Sequence, residues 1–312
     1  MSYRHLFGPV PSRRLGISLG IDLVPLKTCS YNCVYCECGP TTALTTERKE
    51  YVPTGDVIAE LRSYLSTSPR LDYVTFAGSG EPTLHTGIGE IIRTVKSEFP
   101  AYRVAVLTNG SLLPDPAVRR ALLDADLVVP TLNAVSDTPF WKICRPHRSL
   151  SAEAHIDGLV TFRNEFRGEI WLEVFIVPGV NDDDAEIGKI AAAVREIRPD
   201  RVQLNTLDRP GAAAWVRPAD RPTLDHIASL ITAAPVDIVG DLPSRAEIDS
   251  FHQESADTIL ALVRRRPCTL DDLTHATGMH RNEVGKYLQY LLENHLVEAK
   301  REGRGIFFLS VS

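Results

Sequence analysis

The chain reads as an α/β protein on a parallel sheet, open or partly closed into a barrel, with a small unit after it. Three observations carry this reading. Short β-branched runs alternate with amphipathic stretches from about residue 17 to 240, polar motifs fall just after the runs, and the pattern changes beyond residue 254. Strands are expected at Ile17–Val24, Tyr73–Ala77, Arg103–Thr108, Leu127–Leu132, Glu169–Val177 and Arg201–Thr206. Helices are expected between them at Asp56–Leu65, Ile88–Phe99, Pro116–Ala125, Ala152–Phe166 and Asp183–Ile197. In the last, Ile187, Ile190, Ala191, Val194 and Ile197 recur at helical spacing. Such folds place chemistry in the loops after the carboxyl ends of the strands. A cysteine loop follows the first strand, Gly78-Ser79-Gly80-Glu81 the second and Asn109-Gly110 the third.

Residues 220–250 are rich in proline and small residues, with a helical piece at Leu224–Ala233 and a short strand at Val236–Val239. We expect a core over residues 1–240, a linker over 241–253 and a separate unit over 254–312. That unit reads as a helix Asp257–Arg266, then a helix Leu270–Thr277 with Thr269 as N-cap and Asp272 three residues on. A longer helix Arg281–Asn294 follows, and then a hairpin of Val297–Lys300 and Ile306–Val311. The order resembles a winged-helix domain. Its longer helix, in the place of a recognition helix, carries only Arg281 and Lys286 with Glu283 between, and residues 254–312 hold eight basic and eight acidic side chains. Nucleic-acid binding depends on many unopposed phosphate contacts, so DNA is an unfavoured partner, beside protein contact, dimerisation or substrate presentation.

With 312 residues, 44% hydrophobic and 24% charged, the chain can bury a full core. No apolar run reaches the roughly 18 residues of a membrane span, and residues 1–25 lack a signal-peptide layout. We therefore expect a cytoplasmic protein with no membrane partner, where thiols stay reduced. The net charge of −6 makes the whole surface no magnet for phosphate polymers.

Cys29, Cys33 and Cys36 stand in the run Cys-Ser-Tyr-Asn-Cys-Val-Tyr-Cys. Four-iron clusters are held by cysteine thiolates, usually four. Three in one loop leave an iron without a protein ligand, as an open position distinguishes a catalytic zinc from a structural one. Zinc is the competing reading, but it needs four ligands in paired clusters and no second CxxC occurs. Cys38 would complete a set of four, only two residues from Cys36. Six cysteines in this length do not suggest a disulfide framework.

The CxxxCxxC spacing, with Tyr35 before the last cysteine, resembles the signature of the radical S-adenosylmethionine (SAM) enzymes, and the resemblance implies that Tyr35 is a cofactor-binding residue. The resemblance implies a [4Fe-4S] cluster on Cys29, Cys33 and Cys36 in a partial (β/α)6 barrel. The open iron would chelate the amino and carboxylate groups of SAM, and one electron would split SAM to a 5'-deoxyadenosyl radical. Ala77–Leu84 looks like the family's glycine-rich Gly-Gly-Glu-Pro motif, with Ser79 inserted, and it implies SAM contacts from Gly78, Ser79, Gly80 and Glu81. Read alone, the stretch is also a proline-capped turn. Asn109 and Asn133 end the next strands where relatives reach the SAM ribose and carboxylate; Asn-Gly is equally a turn pair. Asn133 replaces an acid common in relatives, so it brings hydrogen bonds without charge.

Gly8–Gly16, Arg145-Pro146, Val177–Asp182 and Gln203–Pro210 extend the likeness to the branch that includes the wyosine tRNA-base synthases. Those enzymes carry extra upstream cysteines, and residues 1–28 have none. The resemblance thus implies a radical SAM enzyme acting on an unidentified substrate: a tRNA base, or otherwise a small molecule or peptide. An electron donor such as flavodoxin or ferredoxin is implied. The rival from another class is an iron–sulfur DNA-binding redox regulator. Cys38 and Cys144 are expected near one another at the strand ends, as substrate ligand, hydrogen-atom donor or packing, and Cys268 away from the site. Arg13, Arg14, Lys142, Arg145, His147, Arg148 and Arg209 form a candidate anion-holding set or a solvated basic face.

Overall fold

The computed structural model describes residues 3–12, 14–208, 211–239, 253–302 and 305–311. Arg13, Arg209, the hairpin tip at Arg304 and nearly all of the expected linker lie outside the described residues. The chain opens with β1 (Leu6–Ser12) and β2 (Gly16–Ile21), then the short β3 (Thr28–Cys29) and β4 (Ala43–Leu44). The alternating part runs α1 (Thr54–Leu65), β5 (Tyr73–Phe76), α2 (Ile88–Glu98), β6 (Arg103–Thr108), α3 (Pro116–Leu122) and β7 (Leu127–Pro130). It continues with α4 (Asp137–Cys144), α5 (Ala152–Glu165), β8 (Glu169–Phe175), α6 (Asp184–Ile197), β9 (Arg201–Asn205), α7 (Arg221–Leu230) and β10 (Val236–Ile238).

One sheet in the order β1-β2-β5-β6-β7-β8-β9-β10 holds these strands. All neighbours are parallel except β1 and β2, which are antiparallel. Strand order follows chain order, with helices crossing on one side: a partial barrel with β1 and β10 as its edges. β1 was not expected, because Pro9 and Pro11 disguise it. A strand tolerates proline at an edge, where a missing N–H costs no ladder bond, and β1 is an edge with a bulge between Phe7 and Val10. α4 was not expected either. Its Asp-Thr-Pro-Phe-Trp-Lys-Ile-Cys has weak helix formers and a Ser136 N-cap without a side-chain cap bond.

Successive strand residues face opposite sides. Outward, Ile21, Val74, Phe76, Val104, Val106, Val128, Ile170, Leu172, Val174, Val202 and Leu204 pack under the helices as the main core. Inward, the register sets Ser18 beside Tyr73, Thr75 beside Ala105, and Glu173 beside Gln203. At the amino ends of the strands the inner face is closed by Leu15, Tyr73, Ala105, Leu127 and Val129 with Trp171. Toward the carboxyl ends it turns polar. The ladder is thinnest there: β7 and β8 pair at Leu127–Glu169 and Val128–Ile170, Pro130 follows, and pairing resumes only at Thr131–Glu173.

After the sheet come α8 (Gln253–Arg265), β11 (Cys268–Thr269), α9 (Leu270–Thr277), α10 (Arg281–Glu293), β12 (Val297–Glu302) and β13 (Gly305–Ser310). Thr269 and Asp272 make a reciprocal capping box. The strands form an antiparallel sheet in the order β11-β13-β12, over a core of its own that includes Ile259, Val263, Leu273, Leu288 and Cys268. Cys268 is buried in that core. Among the described residues, no helix is long and apolar enough to cross a membrane.

Candidate cofactor site

The cysteine loop is held by backbone bonds. β3 pairs with β4 across Thr28–Ala43 and Cys29–Leu44. The N–H groups of Asn32 and Val34 donate to the carbonyls of Cys144 (3.0 Å), Arg145 (3.1 Å) and Ile143 (2.9 Å). These are carbonyls that a helix end leaves without intrahelical donors, so the loop caps the carboxyl end of α4. Tyr31 Oη meets Nδ1 of the buried His155 at 2.9 Å. Burial alone pushes the His155 imidazole down to about 4, so it is neutral at pH 7.

Lys27, only 5% exposed, points Nζ at Cys36 Sγ from 3.0 Å. The Cys36 thiol is pulled down to about 5, first by a hydrogen bond from Cys38 and then, against the cost of burial, by the Lys27 charge. Cys29 is pushed up to about 12 by burial and by the Glu81 charge. Cys33 is pushed up by a hydrogen bond with Cys144 and by burial. Cys38 and Cys144 therefore each lie against a different member of the triad. Cys29 Sγ also receives the Asn109 amide Nδ2 and the Tyr31 N–H, both at 3.5 Å. Cys29 and Cys33 thus keep their protons in this buried setting, and a bound cation would remove them.

Among the described residues, no three His, Cys, Asp or Glu side chains converge as ligands of one metal ion. A tetrahedral zinc would need thiolate sulfurs about 3.8 Å apart, from its roughly 2.3 Å bonds. In an iron–sulfur cluster each thiolate takes its own iron, so the sulfurs stand wider. The triad fits the cluster better than the single ion.

The segment after β5 runs along the same loop. Lys27 N–H donates to Ser79 O (2.8 Å) and Glu81 N–H to Thr28 O (3.1 Å). Gly78 has φ +143°, and a Cβ there would lie 2.5 Å from the Asp22 carboxyl; at Gly80 it would lie 1.9 Å from Thr28 O. Only glycine permits either approach. Ser79 donates from N (3.1 Å) and Oγ (2.7 Å) to Asp22 Oδ2. Glu81, 2% exposed, accepts from Thr83 N and Oγ1 and from Thr108 Oγ1 at Oε1, and from Asn109 N at Oε2. Burial raises its pKa against these four donors. Its carboxylate ties β5 to β6 and keeps spare acceptor capacity only at Oε2.

Asn109 does both things expected of it. Its Oδ1 accepts from Ser111 N (2.9 Å) in a local turn, while Nδ2 donates to Ser30 Oγ (2.8 Å) and lies against Cys29. Asn133 is buried, with Nδ2 on Tyr35 Oη (2.7 Å) and Oδ1 accepting from Phe175 N (2.9 Å). Tyr35 stacks on Phe175 with centroids 3.8 Å apart. Asn181 of the Val177–Asp182 run locks this corner, donating to Asn133 O and Phe175 O at 2.8 Å. The structure thus groups Cys29, Glu81 and Asn109 on one side of the loop, and Tyr35 and Asn133 beside Cys33 and Cys144 on the other.

Among the described residues, four members of the candidate basic set have separate engagements. Arg14 turns inward to Glu173 (2.5 Å), whose other donors are Thr131 and Asn205 at 3.1 Å. Arg145 caps α4 in a left-handed conformation, and His147 Nδ1 pairs with Ser149. Lys142 lies over the Trp215 ring. Sequence reasoning missed Lys27, Asp22 and Glu173; a charged residue inside an alternating strand such as Glu-Ile-Trp-Leu-Glu-Val-Phe was the available signal for the last.

The C-terminal unit also reaches this site. Cys38 Sγ lies 3.6 Å from Asn282 Oδ1, Arg301 donates to Gly211 O (3.0 Å), and Gln289 bonds Asp208. A cavity of about 220 Å³ lies between the cysteine loop and this unit, lined by Glu37, Pro40, Arg281, Leu288, Arg301 and Phe308 among others. Arg281 pairs with Asp271, and its buried Nε has no partner among the described residues.

The family description "Radical SAM superfamily" matches residues 23–189, a span that holds the triad, the glycine segment and both asparagines. The chain belongs to the radical SAM superfamily. It is therefore an enzyme whose cofactors are a [4Fe-4S] cluster and SAM. It is 31% identical to a UPF0026 protein of Helicobacter pylori over 97% of this chain and 96% of that protein. A UPF0026 protein of Methanocaldococcus jannaschii is 29% identical over 97% of this chain and 95% of its own length. The likeness thus runs through the C-terminal unit. A Brachyspira hyodysenteriae protein named GTPase Obg is 36% identical over 93% of this chain, but the chain spans only 43% of that protein. Among solved structures, a radical SAM methyltransferase from Sphaerobacter thermophilus superposes with TM-score 0.56 at 18% identity, over 71% of this chain and 65% of that one. SuiB of Streptococcus suis, solved bound to SAM, gives TM-score 0.53 at 13% identity, over 70% and 50%. These two show the shared fold.

Proposed function

We propose that Cys29, Cys33 and Cys36 hold the [4Fe-4S] cluster and that SAM binds along the Gly78–Glu81 segment and Asn109. The observation that carries this reading is the zip of Ser79 and Glu81 onto Lys27 and Thr28, which fixes the glycine segment against the cysteine loop. When bound, the pair of cofactors supplies a 5'-deoxyadenosyl radical by one-electron reductive cleavage. The chain's own residues set the conditions. Lys27 and Asn109 direct donors at sulfur, which favours the reduced cluster. The Tyr35–Phe175 stack and Asn133 shield the Cys33 side from water.

The substrate we favour is an RNA base, with a small metabolite or peptide as the other reading. Arg301 and the buried Nε of Arg281 offer hydrogen-bond donors in the cavity beside the loop, among the carboxylates of Glu37 and Asp271, and the wyosine-like motifs point to RNA. The C-terminal unit, in this reading a winged helix, would present substrate rather than read DNA: the first turn of α10 is docked on the barrel through Asn282 and its neighbours. That docking disfavours the DNA-binding regulator. A flavodoxin or ferredoxin in the cytoplasm would supply the electron.

Anaerobically reconstituted protein given SAM and dithionite is expected to release 5'-deoxyadenosine; fully loaded protein that forms none refutes the proposal. Cys33→Ala is expected to lose cluster iron. Salt-sensitive tRNA binding in a gel shift supports RNA, and no binding at low salt removes it.

A further inference from the structure

Asp22 directly follows β2 and continues the inner face of Ser18 and Gly20. Its side chain is 10% exposed. Three donors crowd one oxygen: Ser79 N, Ser79 Oγ and, at 3.1 Å, Nε2 of His280 from the C-terminal unit. The other oxygen, Oδ1, is buried and has no partner among the described residues. It faces Gly78, where any Cβ would lie 2.5 Å away. A buried carboxylate oxygen without a donor is costly, and a ligand donor would remove that cost.

His280 is held so that it can only donate to Asp22. As the N-cap of α10 its Nδ1 accepts the Asn282 N–H (3.2 Å), which leaves the proton on Nε2. Its ring stacks on Phe7 of β1, with centroids 4.3 Å apart and planes 11° apart. The hydrogen bond from His280 thus turns Asp22 so that Oδ1 stays free beside the glycine segment. Glu81, the acid the motif suggests, has three of its four donors on Oε1 and lies deeper.

We infer that Asp22 is a SAM-binding residue whose free oxygen accepts from the α-amino group, and that His280 is its positioning residue, supplied by the C-terminal unit. This rests on the proposed SAM edge at Gly78–Glu81. It makes the C-terminal unit part of the cofactor site.

The test is calorimetric titration of the cluster-loaded full chain, without oxygen, using SAM and its deaminated analogue, in which hydrogen replaces the α-amino group. Asp22→Asn is expected to weaken SAM roughly ten- to hundredfold, the range of a charge-assisted hydrogen bond, and the analogue less than about twofold. His280→Phe keeps a ring on Phe7 without the donor, and is expected to weaken SAM several-fold with the same selectivity. Iron content and melting temperature are measured first, and His280→Phe carries the test if Asp22→Asn does not fold. Equal losses on both ligands, or none, overturn the inference. If the wild-type protein binds neither ligand, the SAM-edge reading itself falls and takes this inference with it.

Discussion

The cysteine loop and the C-terminal unit both press on the carboxyl end of the barrel, but by different means. The loop is fastened by main-chain bonds, to β4, to the end of α4 and to the glycine segment. The unit is fastened by side chains: His280 on Asp22, Asn282 near Cys38, Gln289 on Asp208 and Arg301 on Gly211. Main-chain bonds tolerate many sequences provided the path is possible, so their signature is glycine and spacing. Side-chain contacts depend on single identities far apart in the chain.

Substitution can break this contrast. The largest effect is expected at Gly80→Ala. Its Cβ meets the rigid backbone oxygen of Thr28, so loop and segment must part. About 3 kcal/mol of stability is expected to go, with most of the iron incorporation; melting curves and iron analysis measure both. Next is His155, which backs the loop through Tyr31. Its folded pKa of about 4 lies below the unfolded value of about 6.5, so stability is complete above pH 6.5 and falls as pH drops toward 4. The loss approaches about 3 kcal/mol at the low end, and His155→Gln is expected to flatten that part of a urea-midpoint profile. Equal slopes for both proteins would show the loop is indifferent to this group. The smallest effect belongs to the side-chain fastening. Arg301→Ala removes one hydrogen bond and should cost about 1 kcal/mol, read as a small shift in melting and faster proteolysis of the C-terminal unit. A loss as large as that of Gly80→Ala would erase the distinction.

The same contrast explains what was legible in advance. Every expected strand and helix of the barrel is present within a few residues, because periodicity reports which face is buried. Cys29, Cys33, Cys36, Gly78, Gly80 and Glu81 were legible as local motifs, and they meet in space. Asn133 was read as a ligand contact, yet both ends of its amide serve Tyr35 and Phe175. Cys38 and Cys144 were read as a spare pair near the strand ends, and the structure sets Cys38 against Cys36 and Cys144 against Cys33. Arg14 looked like a loop-mouth cation and became the counter-ion of Glu173. Each depends on which strand lies beside which, and no short window of sequence carries that. His280 is the extreme case: 258 positions separate it from Asp22.

The apolar plug of Leu15, Tyr73, Ala105, Leu127 and Val129 has a consequence for traffic. Along its axis the barrel is a cup rather than a pipe. With the amino ends of the strands filled, the polar inner face lies toward the carboxyl ends, where the cysteine loop and α10 meet it.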